Sequence, residues 1–119
     1  MDIQGERGQL LVKLMAATSL RDRWISNNIA NQNVPGYQRR DVRFEELLHE
    51  KLGRHEADLL EVEPEVTVDT ASPSGSNGNN VNLELETTKA RENRLMFELY
   101  ASIFQSRMEL IQSAITSSR

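Results

Sequence analysis

The sequence contains no cysteine, and this absence removes several classes of chemistry. Without thiols the chain can form no disulfide bond and no thiolate metal site, and it has no cysteine nucleophile. A cysteine-free chain suits a reducing cytosol, and it equally suits an exported protein that avoids thiols. The absence therefore narrows the chemistry and leaves the compartment open.

Apolar and aromatic residues are also few. Of the 119 residues, 38% are hydrophobic, and the aromatic ones are one tryptophan, two tyrosines and three phenylalanines. Globular domains usually reach about 45–50% apolar residues when glycine is counted. No apolar run approaches the roughly 18 residues that a membrane-spanning helix needs. We therefore expect a single domain over residues 1–119, with a lean core and no membrane span.

Strong charge of one sign is absent as well. The formal net charge is -4. Arg39, Arg40 and Arg43 are too few to line a phosphate groove, so we expect no nucleic-acid partner. Near the start, Asp2 and Lys13 interrupt what would be the pattern of a secretory signal peptide. If the protein is exported, we expect a route that needs no cleaved signal of this kind.

An N-terminal helix is predicted over about residues 8–33. Residues spaced by alternating threes and fours indicate one helix face: Leu11, Leu14, Thr18, Arg21, Ile25 and Asn28. Pro35 and Gly36 end the helix, because the residue before proline is pushed out of the α region and glycine permits a turn.

The middle of the chain, residues 34–82, is expected to be loop, extended segment and linker. A short amphipathic piece is predicted over residues 42–52. Val62, Val66 and Val68 alternate with polar residues, which is a weak strand signal broken by Pro64. Residues 71–80, ASPSGSNGNN, have the composition of a flexible loop or linker.

A second long helix is predicted over residues 83–117, and its apolar residues form two rows. The first row has the spacing of a coiled-coil seam: Phe97, Ala101, Phe104, Met108, Ile111 and Ile115. The second row is Met96, Leu99, Ile103 and Leu110. Two helices cover about one seam between them, so the surplus apolar surface predicts contacts with other protein chains.

The expected fold class is all-α. The long N- and C-terminal helices pair as an antiparallel coiled-coil-like hairpin, and the extended or irregular middle leaves room for a short helix or strand. A lone helical hairpin buries little surface per residue. We therefore expect the dilute monomer to be partly disordered, most of all over residues 63–80.

Candidate catalytic and metal-binding residues are sparse. Glu46 and His49 have the Glu-x-x-His spacing of helical di-iron sites, but such a site needs a second copy and two further glutamates. We interpret these two residues as a solvated helix face. Gly75 and Gly78 lack the lysine of a phosphate-binding loop. We expect no enzyme activity, no catalytic residue, no cofactor, no metal and no small-molecule substrate.

Three asparagines, Asn27, Asn28 and Asn31, interrupt the N-terminal helix although asparagine is a poor helix former. Asn28 continues the helix face, so we expect it to face a partner helix, where a polar residue penalises wrong registers. Asn31 lies near the helix end, where asparagine can bond carbonyl groups or adopt the left-handed conformation.

The segment SNNIANQNVPGYQRRDVRFEELL, residues 26–48, resembles the N-terminal signature of flagellar basal-body rod proteins. The matching residues are Asn27, Asn28, Ile29, Ala30, Asn31, Pro35, Gly36, Tyr37, Asp41, Val42 and Phe44. The entry to the family's C-terminal helix is matched by Gly78, Asn79, Val81, Leu83 and Glu86. The resemblance covers about residues 8–46 and 75–116. Val34 and a shorter middle segment depart from the family pattern.

Within that family, the short chain without an inserted outer domain looks most like a proximal rod protein. The resemblance implies a non-enzymatic, self-assembling building block of the drive shaft that passes torque from the membrane ring to the hook. It further implies type III flagellar export, a periplasmic rod in the basal body, and contacts with copies of itself and other rod subunits. The membrane-ring and export-gate end of the basal body is the remaining implied partner.

Assembly and packing are expected to depend on one set of residues: Leu11, Leu14, Ile25, Asn28, Ile29, Asn31, Pro35, Gly36, Tyr37, Phe44, Met96, Phe97, Leu99, Ile103, Phe104, Met108, Leu110, Ile111 and Ile115. The rival interpretation is a soluble helical-hairpin adaptor or chaperone-like binding module. Such a module would use the same apolar surface on a different partner.

Overall fold

The computed structural model describes residues 5–53 and 56–117. The elements in chain order are α1 (Glu6–Ala30), β1 (Arg40–Arg43), α2 (Glu45–Glu50), α3 (Glu56–Leu60), β2 (Glu65–Val68) and α4 (Leu83–Ser117). The molecule is mostly helical, and it measures 68 × 27 × 15 Å. Among the described residues, no helix combines the length and apolarity that crossing a membrane requires.

The two long helices pack against each other as predicted, and they run antiparallel. Asn28, near the end of α1, contacts Glu86 near the start of α4, and Thr18 contacts Asn93 about two turns further along α4. α1 has 25 residues and α4 has 35. The extra ten residues carry α4 about 15 Å past the first residue of α1.

The middle contains a two-stranded antiparallel sheet, so the chain is not purely all-α; β2 coincides with the weak strand signal at Val66 and Val68, whereas β1 and the pairing were not predicted. β1 pairs with β2, with Val42 opposite Val66 and Arg40 opposite Val68. The amphipathic piece predicted over residues 42–52 is wrong at its start, because Val42 is buried in β1 and α2 begins only at Glu45. The sheet pairs segments 25 residues apart, and local spacing does not show such pairing.

Residues 71–80 form a loop, one of the two alternatives expected from their composition, and hydrogen bonds join this loop to the rest of the chain. The backbone N–H of Gly36 donates to the carbonyl of Asn77 (2.9 Å), which joins the turn after α1 to this loop. Gly36 and Gly78 both have positive φ, 76° and 80°, and they meet where their backbones approach closely. A Cβ on Gly78 would lie 3.4 Å from the Gly36 Cα. Glycine is therefore the residue that both turns require.

The apolar core lies between α1 and the middle segment. Ala17, Phe44 and Val62 are buried together, and the partly buried residues packed on them are Leu14, Leu47 and Leu48. In the described residues this cluster takes no member from α4. The contact between α1 and α4 therefore has a different composition, and it defines the candidate site.

Candidate assembly interface

The side of α4 that faces α1 is polar at its centre. Its buried residues are Glu86, Asn93 and Tyr100, which recur every seven positions along one face. The predicted seam is only partly covered, since Phe97 is 39% and Met108 40% exposed. Ala101, Phe104 and Ile111 are half-buried, and Ile115 is exposed. A polar row thus occupies the position where a coiled coil would place apolar residues.

Asn28 joins three parts of the chain through one fully buried amide. Its Nδ2 donates to the Arg40 carbonyl (2.9 Å) and to Glu86 Oε2 (3.3 Å). Its Oδ1 accepts from the Arg40 backbone N–H (3.0 Å) and from the Tyr37 hydroxyl (2.8 Å). These contacts use the full donor and acceptor capacity of the amide. Asn28 therefore aligns α1 with β1 and with α4 inside one chain.

The other two asparagines of the motif act at the end of α1. Asn31 Nδ2 donates to the Asn27 carbonyl (2.7 Å), and Asn27 Nδ2 donates to the Tyr37 hydroxyl (3.1 Å). Asn31 has φ -101°, so it bonds a carbonyl group and does not adopt the left-handed conformation. From the loop, Asn79 Nδ2 donates to the carbonyls of Asn31 and Val34, both at 2.8 Å. The carbonyl groups that a helix end leaves without partners are thereby bonded.

Arg39 is the centre of a buried ionic cluster, and sequence reasoning gave it no such role. Its guanidinium donates to Asp41 (2.7 and 2.8 Å), to Asp69 (2.9 Å) and to Glu86, while only 2% of the side chain is exposed. Burial opposes its charge, but the hydrogen bonds to Asp41, Glu86 and Asp69 outweigh burial and raise the pKa of Arg39. The cluster ties β1, the start of the loop and α4 together.

The carboxylate of Asp69 accepts several hydrogen bonds. The Ser72 hydroxyl (2.6 Å), the Ser72 and Ala71 backbone N–H groups and Arg39 all donate to its carboxylate. Led by the Ser72 hydroxyl, these bonds lower the pKa of Asp69. The Asn80 amide then bridges the Asp69 carbonyl (2.8 Å) and the Arg39 backbone N–H (2.7 Å).

A second polar cluster lies midway along α1 around Arg21. Its guanidinium donates to Glu45 (2.6 Å), to Asn93 Oδ1 (3.2 Å) and to the Val42 carbonyl (3.1 Å). Burial opposes the charge of Glu45, but the bonds from Arg21 outweigh it and the pKa of Glu45 is lowered. Burial, followed by the nearby Glu45 carboxylate, raises the pKa of Tyr100 to about 12. The phenol therefore stays protonated and donates to Glu45 (3.3 Å).

Every buried side-chain nitrogen and oxygen of the described residues has a hydrogen-bond partner. This matters because leaving one such group without a partner costs about 1–3 kcal/mol, and more for a charged group. The polar contact between α1 and α4 is thus a complete network. It favours one alignment of the helices, since a shift would break several bonds together.

Another side of α4, centred about 120° around the helix from the buried row, carries exposed apolar side chains together with two glutamates. We call it the outer face, and it comprises Glu84, Glu92, Leu95, Leu99, Ile103 and Leu110. Leu95, Leu99 and Leu110 are 65%, 51% and 67% exposed. Three members of the predicted second row lie here, and its fourth, Met96, is half-buried beside it. Leu95 was not among the predicted assembly residues, although its spacing from Leu99 would have indicated it.

The remaining predicted assembly residues lie away from the outer face. Those buried or partly buried within the chain are Leu11, Leu14, Ile25, Ile29, Asn31, Tyr37 and Phe44. Pro35 and Gly36 are exposed in the turn after α1. The structure therefore brings together two groups of the predicted set: residues that hold one chain together, and residues of α4 that remain open to solvent.

The flagella basal body rod protein family model matches residues 15–38, which cover most of α1, the asparagine motif and the turn that follows. In this segment the chain is similar to that family. The matched segment holds Arg21, Asn28 and Tyr37, each of which bonds across elements. The residues that carry the similarity therefore include ones that align α1 with the rest of the chain.

Curated relatives match over most of this chain's length. The chain is 22% identical over 121 residues to flagellar basal body rod protein FlgB of Bacillus subtilis (strain 168), covering 93% of this chain and 94% of that protein. It is 29% identical over 104 residues to flagellar basal body rod protein FlgB of Borrelia hermsii, covering 71% and 77%. The corresponding FlgB of Borreliella burgdorferi is 27% identical over the same shares.

Proposed function

We propose that this protein is a structural subunit of the proximal part of the flagellar basal-body rod. The match to the basal body rod protein family model and the similarity to proteins named FlgB support a role as a structural component of that rod. The finer position in the rod is supported by similarity to FlgB proteins along nearly the whole chain.

The observation that carries this proposal is the outer face of α4. Fully burying a leucine contributes about 1.5–3 kcal/mol, so covering these half-exposed leucines would stabilise an assembly by several kcal/mol. Within the described residues, the buried polar side-chain atoms already have hydrogen-bond partners, and the small apolar core is packed within the chain. The exposed apolar surface is therefore available for neighbouring subunits, which a rod requires along its whole length.

The internal construction also suits a part that transmits torque. Two antiparallel helices are joined at two heights by the bonds Asn28–Glu86 and Arg21–Asn93, so that rotation of one helix relative to the other breaks hydrogen bonds to charged groups. We propose contacts with copies of itself and with homologous rod chains, and at one end with the membrane ring and the export gate. Export through the flagellar type III apparatus without a cleaved signal belongs to the same proposal.

No catalytic role is part of the proposal. Glu46 and His49 are exposed on α2, and Glu46 lies 3.7 Å from the Arg43 guanidinium. Among the described residues no group of histidine and carboxylate side chains is arranged to hold a metal ion.

A deletion strain complemented with single variants tests the proposal. Ile103→Glu places a charge on the outer face. Gln105→Glu adds the same charge two residues away, at an exposed position of α4 outside the outer face. We expect Ile103→Glu to be missing from purified basal bodies and to leave cells non-motile, while Gln105→Glu behaves as wild type. If the wild-type chain stays soluble in the cytoplasm and its deletion leaves flagella intact, the adaptor interpretation replaces the rod.

A further inference from the structure

A groove between α1 and α4 lies on the side of α4 away from the outer face. Its volume is about 720 Å³, and α1 and α4 both contribute to its walls. The lining residues that bear on its specificity are Ser19, Arg23, Thr87, Arg91, Arg94 and Phe97. Phe97 is 39% exposed there, so an aromatic side chain lies open within the groove.

The arginines of this groove are unlike the others that pack between elements. Arg21 and Arg39 are bonded to carboxylates of their own chain. Within the described residues, Arg23, Arg91 and Arg94 make no ion pair at 4.0 Å or less. Asp22 is the one acidic residue of the lining, so the groove carries an excess of positive charge around Phe97. Such a surface fits an apolar helix face that also bears carboxylates.

The outer face of α4 has that composition. Its three leucines are more than half exposed. Its carboxylates, Glu84 and Glu92, are exposed and make no ion pair within the described residues. At 100° per residue, Leu99 and Glu92 lie about 140–160° around the helix from Phe97, whereas Arg91 lies about 20–40° from Glu84 and Leu95, at the boundary of the two patches. The molecule thus carries a basic aromatic groove and an acidic leucine face on different sides of one helix.

We infer that the outer face of α4 in one copy docks in the groove of the next copy. Pairing groove with groove would bring arginines together, and pairing face with face would bring glutamates together, so both symmetrical arrangements are disfavoured. Groove-to-face contact joins two different patches, and such a contact repeats in one direction and builds an open helical stack. The inference rests on the proposed function and names the two surfaces that meet within the rod.

The absence of cysteine makes cross-linking of assembled rods a direct test. Ser19→Cys places a thiol in the groove and Leu99→Cys places one on the outer face, and basal bodies carrying both are treated with a flexible bis-maleimide. We expect a ladder of covalent oligomers from the two-site variant and only monomer from each single variant. Ser76→Cys combined with Leu99→Cys is the control, because Ser76 lies exposed in the 71–80 loop.

Each outcome has a defined meaning. Covalent dimers from Leu99→Cys alone would show that the outer faces meet each other, which overturns the inference. Chain present in basal bodies without a ladder from the two-site variant also overturns it, and leaves the rod function standing. Wild-type chain missing from basal bodies would instead remove the proposed function, on which the contact depends.

Charge reversal provides a second measurement that does not depend on cysteine placement. Arg23→Glu with Arg94→Glu reverses the groove, and Glu84→Arg with Glu92→Arg reverses the face. We expect each pair to lower incorporation into basal bodies by about tenfold, since like charges then face each other. The variant with all four changes restores opposite charges and should recover incorporation. If the four-fold variant is as defective as either pair, the two surfaces do not meet.

Discussion

The two sides of α4 differ in the opposite sense from a typical surface helix. The side toward α1 buries Glu86, Asn93 and Tyr100, whereas the outer face exposes Leu95 and Leu99 to solvent. A surface helix normally turns its apolar stripe inward. The difference indicates a division of tasks: polar bonds set how the helices of one chain align, and apolar surface is kept for contacts between chains.

Replacing Arg39 should cause the largest loss of chain stability. Arg39→Met removes the cation that pairs with Asp41, Asp69 and Glu86 in the described residues, and leaves the buried carboxylates of Asp69 and Glu86 without it. Losing one partner of a buried ion pair costs about 3–5 kcal/mol. Urea unfolding followed by circular dichroism measures this loss. Arg40→Met is the matched control, because the exposed Arg40 side chain makes a cation–π contact with Trp24 and no ion pair within the described residues. Equal losses from the two variants would contradict the central role of Arg39.

Asn28→Leu tests whether the buried amide sets the alignment. The change leaves the Arg40 backbone groups and Glu86 without their bonds to Asn28, at about 1–3 kcal/mol for each group left without a partner. We expect lower stability in urea and loss of subunits from basal bodies. The control is Asn27→Leu, since the side chain of Asn27 is exposed and makes a single hydrogen bond, to the Tyr37 hydroxyl. A stable Asn28→Leu chain that assembles normally would refute the alignment role.

Phe104→Asp and Leu99→Asp compare the two sides of α4 directly. Phe104 is half-buried toward α1, so its replacement by a charge is expected to cost about 1–3 kcal/mol of chain stability as well as assembly. Leu99 is exposed, and its replacement should change chain stability by less than about 0.5 kcal/mol while abolishing assembly. Thermal melts of the isolated chains and recovery in basal bodies separate the two effects. A large loss of chain stability in Leu99→Asp would place that residue in the core.

Lowering the pH should weaken the ion pairs of Asp69 and Glu45. The pKa of Asp69 is below its ordinary value of 3.8, so its ionised form stabilises the folded chain above that value. The contribution is lost as pH falls through the lower folded pKa, and Glu45 acts in the same direction. We expect the melting temperature to fall below about pH 4, and to fall less steeply in Asp69→Asn. A melting temperature independent of pH over this range would argue against these ion pairs.

The sequence predicted the two long helices and their pairing because helical spacing is local and repeats over many turns. It also predicted the surplus apolar row of α4, which needed only the count of apolar positions on one helix. The alternation at Val66 and Val68 gave a weak strand signal, but the partner strand was missed because Val42 and Val66 lie 24 positions apart and sequence spacing does not show pairing. Composition left loop and linker open for residues 71–80 because Ser, Gly and Asn serve both flexible chains and turns built from side-chain amides.

Composition and periodicity alone determined that this chain is a helical pair with too little core and too much apolar surface on one helix. Tertiary structure alone decided that the inner contact is polar. Arg39 lies 11 positions after Asn28, and Glu86 lies 47 positions after Arg39. A charge or an amide in a sequence does not reveal its partner. Hydrogen bonds and ion pairs act over a few ångströms, so only the fold that brings these groups together gives them a function.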